Sequence, residues 1–472
     1  MIALLLMVLG CTTEPPRQSV LLLTISGVRA DRVGAYGYNP SDTPHLDALA
    51  GKGTKFTRAY ATSTDAGAAL VSIMTGQSPP AHGRRTSNQR GVYSAGSDIQ
   101  HRGSTSRRPG GGLVLHVPGL IPDKIEVEDE PSSMTVFERL TRSKRKTGLG
   151  FLTTLAEHGY GVDSVSLMDF PEVTPLRRFR DEVMEKWSIK WTVHEADSIE
   201  AWVVHFPPLA EDAGRTMSVT EYDEALREYD RYIGELLDEW SAFRPDGYVV
   251  VTGVNGSLNG AREEASLGLT DDLLRVPLVV SGPGVEADWV VSSVVSTVDI
   301  ATTITDFLDV PFEGTGENLM SGGSTLAYHE SPYAYERFNA RPVVGYTDES
   351  GRYVEGVYGR WFPASKGQVL VFEMPMSEYP EQAKTLQELR TSIGTDKGLP
   401  AEAWTLQLDA ADCVRFDSLA NKLERTISRG RMAAADRMLD RLTKEAPDAR
   451  IVQALSNKLA AAQAESKAAE AK

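Results

Sequence analysis

Cysteine is nearly absent from this chain of 472 residues, with only Cys11 and Cys413 present. A disulfide framework is thereby excluded for a protein of this length. Basic charge is also in deficit: 49 Lys and Arg stand against 65 Asp and Glu, a net charge of −16. Nucleic acid is excluded as a general partner, because phosphate backbones need a basic surface. The apolar run Met1–Gly10 falls far short of the ~20 residues that cross a bilayer. No CxxC, HExxH, P-loop or Rossmann fingerprint occurs, so those metal, redox and nucleotide chemistries lack their usual carriers. What is present is a 41% hydrophobic fraction, ordinary for a folded protein. The length suits one large domain and a smaller one.

The N-terminal apolar run ends Val8-Leu9-Gly10-Cys11. It resembles a bacterial lipoprotein signal, in which a small residue before cysteine permits cleavage and acylation. That likeness implies lipid attachment at Cys11, a polar tether over Thr12–Gln18, and a place at the bacterial cell envelope, periplasmic or on the outer surface. No Lys or Arg precedes the run, which departs from the usual signal. Cys413 reads as a small, partly buried residue.

From about residue 18 to 320, apolar runs alternate with amphipathic segments. Val20–Ile25, Ala201–Phe206, Tyr248–Thr252 and Val276–Val280 read as buried strands. Pro44–Lys52, Ala68–Met74, Phe151–Glu157, Tyr222–Trp240 and Asp299–Leu308 read as helices. Near-continuous apolar strands separated by helices predict a parallel sheet covered on both faces. His82–Gly112, rich in Arg, Gly and Ser, reads as a long surface loop. Val343–Trp361 and Gln368–Phe372 suggest a small antiparallel sheet. From Pro380 the chain reads as helical, and Ser428-Arg429-Gly430…Ala435…Pro447 has the spacing of one tetratricopeptide-like helix pair.

Several segments, in order, resemble the sulfatase/alkaline-phosphatase superfamily. They include Ser19–Asp31, Gly34–Tyr38, Thr43–Ala50, Phe56–Ala61, Thr75-Gly76, Pro80–Gly83, Leu155–Tyr160, Arg275–Val285 and Thr297–Ile304. The expected fold is α/β: a three-layer α/β/α sandwich around a mostly parallel sheet, with a small C-terminal antiparallel subdomain and a helical extension. The expected divisions are 1–18 for signal and tether, 19–324 for the α/β domain, 325–379 for the small subdomain and 380–472 for the helices.

The resemblance also implies a divalent metal (Ca, Mg or Zn) and a nucleophile, and here the residues depart from it. The metal-binding aspartates at the end of the first strand are replaced by Ser26 and Gly27. The nucleophile position, converted to formylglycine in sulfatases, is Ala66, where that conversion is impossible. Ala68, Ala69 and Leu70 replace the residues that follow it. Val254 stands at the later metal aspartate, Asn255 at its asparagine variant, and Leu267 near a cationic lysine. Phe206-Pro207-Pro208-Leu209 replaces a histidine-bearing turn. Six of these, Ser26, Gly27, Ala66, Leu70, Val254 and Leu267, are uncharged residues at one convergence point and leave nothing to balance a cation.

The resemblance and its departures predict a protein without intact catalytic residues and without a bound cofactor or metal. It would act as a lipid-anchored binding or scaffolding protein toward a protein or envelope glycan. The rival expectation is a divergent sulfuric- or phosphoric-ester hydrolase or transferase with a relocated site, using Thr64, Asp65, Asn255 and an arginine of the 82–112 loop. A third reading makes the helical tail the working part and the large domain its platform. The bland expectation for Ser63, Thr64 and Asp65 is a helix N-cap. Arg29 and Asp31 are expected to form an ion pair or cap. His45, His82 and His158 are expected to bond locally, and His116 and His205 to be core histidines.

Overall fold

In the computed structural model the described residues are 18–85, 201–206, 209, 218–257, 268–363, 378–394 and 410–470, apart from 40–41, 339, 357–358 and 447–448, with four short strands between 106 and 166. The expected features at His116, His158, Leu267 and Gln368–Phe372 lie outside them; of the expected helix Phe151–Glu157, Phe151 is instead the last residue of a strand, Thr147–Phe151, and the remainder lies outside them.

Among the described residues the main sheet has nine strands. They are β1 (Val20–Ile25), β2 (Thr54–Tyr60), β5 (Thr147–Phe151), β6 (Ser164–Ser166), β7 (Ala201–Phe206), β8 (Tyr248–Gly253), β9 (Arg275–Val276), β10 (Leu278–Ser281) and β11 (Trp289–Ser296). Their order is β11-β2-β10-β8-β1-β7-β5-β6, with β9 on β2. The remaining short pair, β3 (Ser106–Arg107) and β4 (Leu113–Val114), is a separate antiparallel ladder.

β1 lies at the centre, parallel to both β7 and β8. Its six residues are all buried, which explains why it reads as an unbroken apolar run. One face packs Leu22, Val250 and Leu278 against Ile73 and Ile300; the other packs Leu21, Leu23 and Val251 against Leu226, Ile233 and Trp240. The expected three layers are therefore present.

The structure refines one strand. Val276–Val280 divides at Pro277 into β9 and β10, which run antiparallel to their neighbours. Proline has no N–H to give to a ladder. Its carbonyl still accepts from the Gly253 N–H at 3.0 Å.

Helices α1 (Pro44–Lys52), α2 (Ala66–Thr75), α3 (Pro79–His82), α4 (Val219–Phe243), α5 (Asp271–Leu274) and α6 (Asp299–Phe307) accompany this sheet. α4 starts earlier than its apolar stripe suggests because Ser218 and Glu221 form a capping box. α2 likewise starts at Ala66, since Asp65 accepts from the Ala68 N–H at 2.9 Å.

A second sheet, antiparallel throughout, runs β12 (Ala327–Ser331), β13 (Val343–Thr347), β14 (Gly351–Glu355) and β15 (Gly359–Pro363). α7 (Tyr333–Phe338) follows β12, and α8 (Pro380–Ile393) packs Leu386 beside Tyr346 and Tyr353. The C-terminal helices are α9 (Ala410–Ser428), α10 (Met432–Glu445) and α11 (Arg450–Glu470). Gly430 turns α9 into α10 with φ +69°, a conformation that glycine adopts without steric cost. The pair does not stand alone: α11 and α7 share its apolar core, with Phe338 against Phe416.

Candidate functional site

The parallel strands β7, β1 and β8 end side by side, and such ends form the crevice where open α/β sheets bind ligands. Register aligns Thr24 with His205 on one side and with Thr252 on the other. The His205 ring lies between two hydroxyls: Nδ1 is 2.9 Å from Thr24 Oγ1 and Nε2 is 3.5 Å from Ser26 Oγ. Burial pushes the imidazole down to about 4, so it is neutral at physiological pH. His205 is thus the core histidine expected of it, with Ser26 as one of its hydroxyl neighbours.

Ser26 follows Ile25, the last residue of β1, and Gly27 turns away with φ +75°. A side chain at Gly27 would be strained by the backbone rather than by space, since a Cβ would meet nothing closer than 3.8 Å. Tyr222 Oη holds this turn, donating to the Gly27 carbonyl at 3.1 Å and accepting the Arg29 N–H at 2.9 Å. Arg29 in turn bridges Asp31 and Asp272, each at 2.7 Å. The Arg29–Asp31 pair is therefore structural.

Asn255 joins the turn to the loop before α2. Its Oδ1 accepts the Gly27 N–H at 3.0 Å, and its Nδ2 donates to the Thr64 carbonyl at 2.9 Å. Both ends of the amide are engaged by backbone. Removing it by Asn255→Ala takes the partner from a part-buried N–H and a part-buried carbonyl. The expected cost is about 2 kcal/mol, read as a shift of the urea midpoint at unchanged slope.

The loop itself is tied to the second sheet. Thr64 N–H donates to the Glu330 carbonyl at 3.0 Å, and Glu330 N–H donates to the Thr62 carbonyl at 2.9 Å. Thr64 Oγ1 donates to Ser331 Oγ at 3.0 Å. Asp65 is the N-cap of α2, and its own N–H donates to Ser63 Oγ at 3.1 Å. The two fallback nucleophiles, Thr64 and Asp65, are thus a cross-sheet hydroxyl and a cap. Ala66 packs on the same core cluster that buries Leu70 and Val254. The aliphatic replacements are brought together, and what they form is packed interior. Leu267 lies outside the described residues.

Sequence reasoning missed the groups that fix this loop from behind. Arg85 and Glu330 form an ion pair at 2.6 Å with side chains 0% and 1% exposed. Tyr328 Oη also donates to Glu330 at 3.0 Å. The arginine of the 82–112 loop that the rival reading would recruit is, at position 85, engaged by this carboxylate. No local signal pairs residues so far apart, and the segment Ala327–Ser331 (Ala-Tyr-His-Glu-Ser) is not apolar enough to mark its acid as buried. His82 accepts the Arg84 N–H at Nδ1 and contacts Ser72 Oγ through Nε2 at 2.9 Å, so the proton sits on Nε2. His329 links the Ala61 carbonyl to Thr347 Oγ1, each at 2.8 Å.

A sequence model of the sulfatase family matches residues 18–102 and 151–310, more than half of the chain. The chain belongs to the sulfatase family. It is similar to N-sulphoglucosamine sulphohydrolase of Homo sapiens, 26% identical over 341 residues, which are 65% of this chain and 64% of that protein. It therefore spans somewhat less than two thirds of that curated relative. Among solved structures, a 2-O GAG sulfatase superposes with TM-score 0.57 at 14% identity, covering 84% of this chain and 96% of its own. The phosphonate monoester hydrolase of Agrobacterium radiobacter gives 0.56 at 16%, covering 79% and 96%. At such identities these two show the fold.

The family implies a divalent metal, and the residues described here do not fit one. Among the described residues no three His, Cys, Asp or Glu side chains are grouped to hold an ion. A hard cation needs several oxygen donors with negative charge among them. At these strand ends stand a serine hydroxyl, a glycine, a neutral imidazole and an amide whose oxygen already accepts a backbone N–H.

Proposed function

We propose that this sulfatase-family protein has lost ester hydrolysis and works as a binding or scaffolding protein at the bacterial cell envelope, tethered by lipid at Cys11. Its partner would be a protein or an envelope glycan. The observation that carries the reading is the double engagement of Asn255, which turns the one ligand-type side chain surviving among the described replaced positions into a backbone staple. Hydrolysis of a sulfate or phosphate ester needs a cation or a fixed set of donors where charge develops, and a nucleophile beside it. Ala66 supplies no nucleophile, while Leu70 and Val254 supply no donor.

Ser26 and His205 resemble a nucleophile and its base, yet the chemistry runs against them. An imidazole held near 4 is a weak base at neutral pH. Ser26 is 2% exposed, and the adjacent Gly27 N–H is taken by Asn255.

The alternative reading, a divergent ester hydrolase, draws support from the similarity to a sulphohydrolase. It would need carboxylates such as Glu211, Asp212, Glu263 and Glu264, which follow β7 and β8 in sequence. The deciding assay offers the full chain an aryl sulfate and an aryl phosphate in the presence of Ca²⁺, Mg²⁺ or Zn²⁺. Release no faster than in buffer is expected. Turnover abolished by a chelator and by Glu263→Gln/Glu264→Gln would overturn the proposal in favour of the alternative.

A further inference from the structure

Strand β11 is the edge of the main sheet, paired only with β2 among the described residues. Edge strands are usually blunted by charge, proline or a short length. The eight residues of β11, Trp-Val-Val-Ser-Ser-Val-Val-Ser, carry no charge at all. Trp289 is 51% exposed and Val290 48%, the two most exposed large apolar side chains among the described residues.

The regular part of this edge is bounded on both sides. Asp288 has φ +53°, which breaks the extended backbone before Trp289. A β-bulge follows Val291, and the Val294 N–H is then taken by the Glu349 carboxylate at 2.7 Å. Trp289, Val290 and Val291 remain, with Val290 at the centre. The Trp289 N–H donates inward to the Gly53 carbonyl at 3.3 Å. Alternation along the strand therefore turns the N–H and C=O of Val290 toward the open side.

We propose that this edge pairs with the same edge of a second copy of the chain, antiparallel about a two-fold axis at Val290. A residue presenting both its N–H and C=O outward is self-complementary under that symmetry: each Val290 N–H would donate to the other Val290 carbonyl. The register places Trp289 opposite Val291 of the second copy, an aromatic against a β-branched side chain. Asp288 falls opposite Ser292, and Glu286 falls opposite Val294, where the Glu349 carboxylate on the Val294 N–H is itself paired with Arg58. Charge favours a second copy meeting here rather than elsewhere: a chain of net charge −16 repels its own kind over most of its surface, and this strand is neutral. So short a pairing lies below the ~1,200 Å² of a standard interface, so a weak, concentration-dependent dimer is expected.

Sedimentation of the full chain up to about 100 µM tests this in the concentration range where small interfaces associate. A monomer–dimer equilibrium is expected, weakened at least ~10-fold by Val290→Lys, a change of about 1.4 kcal/mol in association. Circular dichroism checks that this exposed substitution leaves the fold intact. In a Cys11→Ser/Cys413→Ser background, Val290→Cys should oxidise to a covalent dimer under native conditions, while Val219→Cys on α4 should not. A wild-type chain that stays monomeric at ~100 µM overturns the proposal. So does a dimer indifferent to Val290→Lys, or one that Val290→Cys fails to cross-link.

Discussion

Replacing Glu330 by alanine is expected to lower the unfolding free energy by about 3–5 kcal/mol. The Arg85 guanidinium is 0% exposed and would lose a buried carboxylate that helps compensate its charge. An unpaired buried charge costs more than its ion pair contributes, because desolvation is no longer offset. Tyr328 Oη would lose this acceptor in the same step. The contrast lies in removing both charges. Arg85→Met/Glu330→Leu should recover most of the loss, since apolar groups of similar volume need no compensation. Urea unfolding of the two variants measures the difference. Equal destabilisation by the single and double substitutions would mean that packing, not charge, holds the loop to the second sheet.

Acidification from pH 6.5 to 4 is expected to remove about 3 kcal/mol of stability through His205 alone. Burial lowers its folded-state value from 6.5 to about 4, so the folded protein favours the neutral ring. The stabilisation is complete above pH 6.5 and is lost as pH falls through 4, where the folded state at last takes up the proton. His329 is lowered for the same first cause, burial, and acts in the same direction. Asp230, Asp272 and Asp299 oppose it. Burial raises all three, so their contribution is present below 3.8 and is lost as pH rises. The difference between wild type and His205→Asn isolates the histidine. Unfolding free energy plotted against pH should be flatter for the variant over this window; parallel curves would show that His205 does not titrate on unfolding.

Both predictions concern residues that stand near, but outside, the replaced positions, and the reason bears on what the sequence discloses. β1, β7 and β8 were legible because burial on both faces leaves a continuous apolar run. α2 and α4 were legible from their stripes, and only their caps, Asp65 and Ser218, extend them further. The antiparallel direction of β10 was not legible, because period and composition carry no direction; Pro277 marks the break but not the reversal.

At the site, the substitutions at Ser26, Gly27, Ala66, Leu70 and Val254 could be read by position. Their consequence could not. That the Asn255 amide bonds at both ends to backbone depends on its meeting Gly27 and Thr64, which lie 228 and 191 residues away along the chain. Likewise, nothing local shows that Thr64 and Asp65 serve the second sheet and the helix cap rather than a ligand.

The most direct measurement is metal binding by the full chain at neutral pH, by elemental analysis after purification without chelator and by calorimetry with Ca²⁺, Mg²⁺ and Zn²⁺. An emptied site predicts no stoichiometric, tightly held ion. One ion per chain, lost on Asn255→Ala, would contradict it.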